Sequence, residues 1–228
     1  VGAPGSPEAV ATRMALAIQH RGPDDAGAWA DAPAGIALGH RRLSIVDLSP
    51  AGHQPMHSAG ERFVLAFNGE IYNHLDLRAE LEATGAAPAW RGHSDAETLL
   101  AAFEQWGLEA TLKRTVGMFA IALWDRRERR LHLARDRFGE KPLYYGWQNG
   151  VLLFGSELKA IGAHPSFERR INRDAVAREH GNIHRSKCFV EDSVVDAWPP
   201  TAARPPRCPR CGAHLRPDVV WFGETLPP

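Results

Sequence analysis

Near Ala177 the chain changes texture, and that change constrains its fold more than any single motif does. From Ser6 to about Ala177 apolar residues recur at helical and strand spacings, separated by glycine-containing turns. Beyond it Pro199-Pro200, Pro205-Pro206, Pro209, Pro217 and Pro227-Pro228 crowd a stretch with few helical periods, so something other than a large core must hold that segment. The three cysteines, Cys188, Cys208 and Cys211, all lie in this second part. Their odd number argues against a disulfide framework and makes a metal the candidate organiser. Residues 1–177 are therefore expected to form one substantial domain and residues 178–228 a small appendage.

In the first part, Ser6-Pro7-Glu8 is a helix start with proline at the first helical position, and Val10, Met14 and Ala17 follow at helical spacing. Residues 35–39 and 63–67 read as buried strands, and Asn68-Gly69 reads as a tight-turn dipeptide leading to Glu70-Ile71-Tyr72. Asn73 is a candidate cap for a helix closing at Gly85. Ser94-Asp95-Ala96-Glu97 has the spacing of a capping box that opens a helix with Leu99, Leu100 and Phe103 on its apolar face. Residues 118–124 and 131–134 read as strands joined by a charged turn, and 143–147 and 151–154 as a hairpin across Gln148-Asn149-Gly150. Many strands with few helices imply a layered α+β domain.

Lys+Arg and Asp+Glu both total 27, so no global field favours nucleic acid or a membrane surface as a partner. No apolar run reaches membrane-spanning length, and the start of the chain lacks the basic-then-apolar pattern of a signal peptide, so a cytoplasmic setting is expected. The histidines His20, His40, His53, His57 and His93 lack a metal-ligand spacing, and structural roles are expected for them.

Three strings carry chemistry: His40-Arg41-Arg42-Leu43-Ser44-Ile45-Val46-Asp47, Phe67-Asn68-Gly69-Glu70-Ile71-Tyr72-Asn73 and Ser94-Asp95-Ala96-Glu97. With Arg21-Gly22-Pro23-Asp24, Gly117-Met118-Phe119-Ala120, Arg135-Asp136-Arg137-Phe138-Gly139 and Ser156-Glu157-Leu158-Lys159-Ala160, they resemble, in order, the glutamine-hydrolysing domain of class II amidotransferases of the asparagine-synthetase type. That resemblance implies an N-terminal-nucleophile-hydrolase αββα sandwich and hydrolysis of glutamine to glutamate and ammonia for an ATP-dependent amidation. Taken singly, each string has a plainer reading: a hairpin turn at Asn68-Gly69, a helix start at Ser94-Asp95, a surface arginine at Arg42.

Releasing ammonia from an amide needs a nucleophile, a proton carrier and donors for a tetrahedral oxyanion. The resemblance assigns the oxyanion donors to the Asn68 side chain and the Gly69 N–H, where loss of one donor typically costs about a hundred-fold or more in rate. A guanidinium matches the α-carboxylate of free glutamine bidentately, which suits Arg42, and the α-ammonium needs an acceptor, which suits Asp95. Backbone groups around Leu43, Ile45 and Val46, with Glu70, are implied to complete the pocket. No cofactor is expected in this domain; ATP and magnesium belong to the synthetase domain or subunit that is the implied partner, and no phosphate loop of that kind follows Ala160. The family nucleophile is an N-terminal cysteine preceding a first strand, whereas this chain starts Val1-Gly2-Ala3-Pro4. The expectation is therefore a sandwich lacking its first strand, inactive as a glutaminase; a catalytically dead glutamine-binding or interaction module is the alternative.

The tail is similar to a bacterial sirtuin, an NAD-dependent protein deacylase, through His180-Gly181, Cys188, Cys208-Pro209-Arg210-Cys211 and Val219-Val220-Trp221-Phe222-Gly223-Glu224. The resemblance implies a zinc-ribbon-like segment with Cys188, Cys208 and Cys211 as zinc ligands, and Glu191 as the candidate fourth where a thiolate is usual. His180 matches the sirtuin histidine that deprotonates ribose, but no dinucleotide-binding sheet with a Gly-rich turn is present, so it reads as a vestige. A fragment of a zinc-containing deacylase is accordingly a third reading.

Overall fold

The computed structural model describes residues 5–168 and 207–213, together with the backbone strands Gly181–Cys188, Val194–Val195 and Leu215–Val219. The chain divides into two compact units, Val1–Glu168 and Arg169–Pro228. The boundary expected near Ala177 lies outside the described residues.

The first unit is organised by one antiparallel sheet of order β3-β4-β5-β6, made of Met56–His57, Phe63–Ile71, Gly117–Asp125 and Arg130–Arg135. Side chains alternate across a strand, and here the alternation sorts two cores. Phe63, Leu65, Phe67 and Ile71, with Phe119, Ile121 and Leu123, pack with Leu77, Leu99, Leu100 and Phe103 from helices α2 (His74–Ala83) and α3 (Asp95–Trp106). Val64, Ala122 and Trp124 face the other way, onto Trp29, Ile36 and Leu38 of a hairpin β1–β2 (Asp25–Asp31 and Ile36–Arg42) and Phe154 of a hairpin β7–β8 (Tyr144–Gln148 and Val151–Gly155). Outside these hairpins lie α1 (Pro7–Leu16) against β1 and β2, and the short α5 (Leu158–Ile161) against β8. The layers run helix, sheet, hairpins, helix, the αββα order that the resemblance implies. Among the described residues β2 pairs only with β1, and β8 only with β7. A groove of about 470 Å³ runs between the two hairpins, lined by Ala11, Met14, His40, Asn68, Leu152 and Phe154.

Several local readings hold. Ser6 caps α1 through Ala9 N–H at 3.2 Å, and Ser94 caps α3 through Glu97 N–H at 3.2 Å. Others are corrected. The Asn68-Gly69 pair is no turn: β4 runs unbroken through it, with Asn68 opposite Ala120 and Gly69 opposite Phe119. Glycine is required there for closeness, since a Cβ on Gly69 would lie 2.2 Å from the Met118 carbonyl oxygen. Asn73 precedes α2 without capping it, because its amide is taken by the Arg114 carbonyl (3.0 Å) and the Val116 N–H (2.8 Å). The capping box is half made, the Glu97 carboxylate accepting from Arg91 N–H (2.9 Å) and Gly92 N–H (3.1 Å). Strand β1 and helix α4 (Leu108–Arg114) carry weak periodicity and are additions to the sequence reading.

In the second unit Gly181–Cys188 (β9) lies between Val194–Val195 (β10) and Leu215–Val219 (β11) in an antiparallel sheet. Cys208 is buried and Cys211 exposed in a turn where Gly212, at φ +74°, donates its N–H to the Cys208 carbonyl at 2.9 Å. Among the described residues no three metal-ligating side chains converge. Glu191, His180 and the Cys188 side chain lie outside the described residues, so two of the four expected zinc ligands can be placed. Among the described residues no helix is long and apolar enough to cross a membrane.

Candidate functional site

The edge of β4 explains why Gly69 stands apart. Arg126 N–H donates to the Arg62 carbonyl (2.9 Å) and Tyr72 N–H to the Val116 carbonyl (2.8 Å), so even-numbered positions of this strand turn their backbone groups toward β5. Odd-numbered positions therefore point outward, where each needs a partner. Phe63 N–H donates to Ser58 Oγ (3.1 Å), Leu65 lies opposite Met56 on β3, Phe67 N–H donates to Gln54 Oε1 (2.7 Å) and Ile71 N–H donates to Asp95 Oδ2 (2.9 Å). The Phe67 carbonyl accepts from His40 Nε2 at 3.0 Å. Gly69 N–H is the outward donor left without a partner among the described residues. Beside it, Asn68 Nδ2 is buried and likewise unpartnered. Leaving a buried donor unsatisfied costs about 1–3 kcal/mol, so two adjacent ones mark a place built for an acceptor.

His40 holds this edge as a neutral ring. Burial lowers its pKa to about 4, and because a carbonyl can only accept, Nε2 carries the proton and Nδ1 is bare.

Arg42 is 9% exposed at the end of β2. Its Nη1 donates to the Ser49 carbonyl (3.0 Å) and its Nη2 to the Asp47 carbonyl, so the guanidinium organises the 43–49 loop, and its other N–H groups have no partner among the described residues. Leu43 and Ile45 are 54% and 68% exposed, and the backbone groups of Leu43, Ile45 and Val46 make no hydrogen bond among the described residues. Asp95, at the first turn of α3, is buried; Oδ2 holds Ile71 N–H and Oδ1 its neighbour Ala96 N–H at 2.9 Å. Burial raises its pKa, and no ion pair compensates it among the described residues. Glu70 sits one step beyond Gly69 with its side chain unbonded among the described residues. Asn68, Gly69 and Asp95, predicted from far-apart strings, are thus tied to one strand edge, whereas Arg42 makes no hydrogen bond to that edge among the described residues and is joined to the segment before Asp95 through Asp47. Sequence reasoning missed Gln54 and left Asp47 unassigned: both act on backbone N–H groups of distant segments, which no local spacing announces.

A layered sandwich of this kind is the N-terminal-nucleophile-hydrolase architecture, and it is shared with the glutamine phosphoribosylpyrophosphate amidotransferase of Bacillus subtilis solved with ADP and GMP. That structure matches with a TM-score of 0.57 at 21% identity, over 68% of this chain and 40% of the other. A family model described as a glutamine amidotransferase domain matches residues 2–193. This chain belongs to that family. Its last part, residues 166–228, matches a second model, the Sir2 family, so the tail is sirtuin-like as its cysteine and Val-Val-Trp-Phe-Gly-Glu strings imply. Among curated proteins the chain is 39% identical over 171 residues to asparagine synthetase [glutamine-hydrolyzing] 3 of Bacillus subtilis (strain 168), covering 74% of this chain and 27% of that protein. It is 45% identical over 157 residues to a putative asparagine synthetase [glutamine-hydrolyzing] of Mycobacterium bovis, covering 65% and 24%. The chain thus spans about a quarter of the length of these relatives.

Proposed function

We propose that residues 5–168 recognise free glutamine as the amidotransferase module of an asparagine-synthetase-like system, in which the ammonia serves ATP-dependent amidation on a synthetase domain or subunit. The observation that carries this reading is the pair of adjacent unpartnered donors, Asn68 Nδ2 and Gly69 N–H, on an edge whose other outward N–H groups are all paired. Two neighbouring N–H donors suit an amide oxygen and suit the oxyanion of its tetrahedral intermediate better, since charge strengthens such bonds. Asp95 is a buried carboxylate without a cation, and the α-ammonium of an amino acid supplies one. The remaining N–H groups of Arg42 suit the α-carboxylate, and the unbonded backbone around Leu43, Ile45 and Val46, with Glu70, is open to the same ligand.

Residues 1–187 contain no cysteine, so the attacking thiol is not assigned to this part of the chain. The activity proposed for these residues is binding and oxyanion stabilisation. Titration calorimetry on the purified chain tests it: glutamine is expected to bind, and glutaramic acid, which lacks the α-amino group, to bind at least about tenfold more weakly. Equal binding of the two, or none of glutamine, would overturn the reading. Ammonia release above a blank, abolished by Asn68→Ala, would overturn the restriction to binding.

A further inference from the structure

The two elements assigned to the ends of glutamine are separate in sequence, and one side chain joins them. Asp47 is 7% exposed and spends each carboxylate oxygen on a different segment: Oδ1 accepts Ser49 N–H at 2.8 Å, and Oδ2 accepts His93 N–H at 2.8 Å. Its carbonyl accepts from Arg42 Nη2. The bond to His93 is the one hydrogen bond, among the described residues, between the 43–49 loop and the 91–97 segment. Residues 91–93 have little freedom otherwise: Glu97 accepts Arg91 N–H and Gly92 N–H, and Arg78 Nη2 donates to the Gly92 carbonyl at 3.0 Å. Two glycines allow the close approach. A Cβ on Gly92 would lie 2.4 Å from Asp47 Oδ2, and one on Gly52 would lie 2.0 Å from Arg42 Nη2.

We infer that Asp47 is a positioning residue that locks the Arg42 loop to the Asp95 helix start, so that both ends of the amino acid are read as one unit. Resting on the glutamine reading, the inference adds the device that sets its selectivity. A shift of His93 moves Asp95 two residues on, whose Oδ2 holds Ile71 N–H of β4. A shift of the Asp47 carbonyl moves the guanidinium of Arg42. With the lock intact, a ligand lacking either charged group loses contacts that are already in place; with it broken, each end relaxes independently and selectivity falls.

The test compares the whole chain with Asp47→Asn and with Glu104→Gln. Glu104 is also a long-range carboxylate staple, accepting from Ser58 Oγ (2.6 Å) and Gly60 N–H (3.1 Å), but it joins neither element. Amide hydrogen exchange without ligand is expected to quicken at whichever of Ser49 and His93 faces the new NH2 group in Asp47→Asn, at His93 in Gly92→Ala, and to stay unchanged at both in Glu104→Gln. Calorimetry is expected to show the preference for glutamine over glutaramic acid and over 4-aminobutanamide, which lacks the carboxylate, narrowing by about tenfold in Asp47→Asn alone. Should that variant fail to fold, Gly92→Ala separates the same pair while keeping the carboxylate, and the same results are expected. Because the amide introduced by Asp47→Asn keeps one acceptor oxygen, Gly92→Ala is measured alongside, and unchanged exchange at His93 in both variants overturns the lock whether or not a ligand binds. Changed exchange with unchanged preference overturns its role in selectivity, and a wild-type chain that binds no glutamine removes that role together with the glutamine reading.

Discussion

Strand β4 carries Asn68 and Gly69 on a ladder whose apolar faces are buried, with Val64 and Leu65 each 0% exposed, while the 43–49 loop beyond Arg42 buries almost nothing apolar and leaves Leu48 78% exposed. The strand is held by hydrophobic packing on both sides and by paired backbone groups. The loop is held from within by Arg42 and Asp47, which replace a core with charge-assisted hydrogen bonds. The strand edge thus takes its geometry from the whole sheet, whereas the shape of the loop rests on a few polar atoms. Such a loop can be perturbed without unfolding the sandwich.

Phe103→Ala, at a position 1% exposed beneath β4, should lower the unfolding free energy by about 3–5 kcal/mol. Chemical denaturation measures this, and a loss under 1 kcal/mol would contradict core support of the edge. Gly69→Ala should cost about 1–3 kcal/mol, because its Cβ meets the β5 backbone 2.2 Å away. Retained stability there would mean that β4 and β5 can separate without penalty.

The carboxylates sharpen the contrast by pH. Asp47 is held down to about 2 by the Ser49 and His93 bonds, so its contribution is present above its unfolded value near 3.8 and is lost as pH falls from about 4 toward 2. Asp95 has the opposite sign. Burial raises it, so its contribution is present below 3.8 and is lost as pH rises through its folded value. Carbon-detected NMR titration should order them Asp47 below 3.8 and Asp95 above it, with glutamine lowering Asp95; the reverse order would refute both assignments. The smallest effect belongs to the exposed loop residues: Ile45→Ser should change stability by no more than about 0.5 kcal/mol. A larger loss in thermal unfolding would mean that the loop packs against something.

The candidate site residues and the family were legible because they sit in strings whose order is itself informative. Arg42, Asn68, Gly69 and Asp95 were chosen for charge or donor chemistry, and the fold ties the last three to one strand edge and links Arg42 to the segment before Asp95 through Asp47. Their local settings were read less well. Asn68-Gly69 looks like a turn by composition, yet its glycine answers to the β5 backbone at 2.2 Å, a neighbour some fifty positions away that spacing rules cannot see. Asn73 and Glu97 were read as local caps, and distant or adjacent backbone groups claim them instead.

Periodicity, capping residues and composition by themselves determined the helices α1 and α3, the central strands, the αββα class through the resemblance, and the separate, cysteine-bearing tail. These are short-range properties, set within a turn or a strand. Tertiary structure alone decided which backbone N–H stays free. Gln54 and Asp95 take the outward N–H groups on either side of Gly69, His40 takes the Phe67 carbonyl, and Asp47 ties two loops that are 46 residues apart at the bond. Hydrogen-bond satisfaction is a property of the folded whole, because a donor is left free only when every neighbour has found another partner.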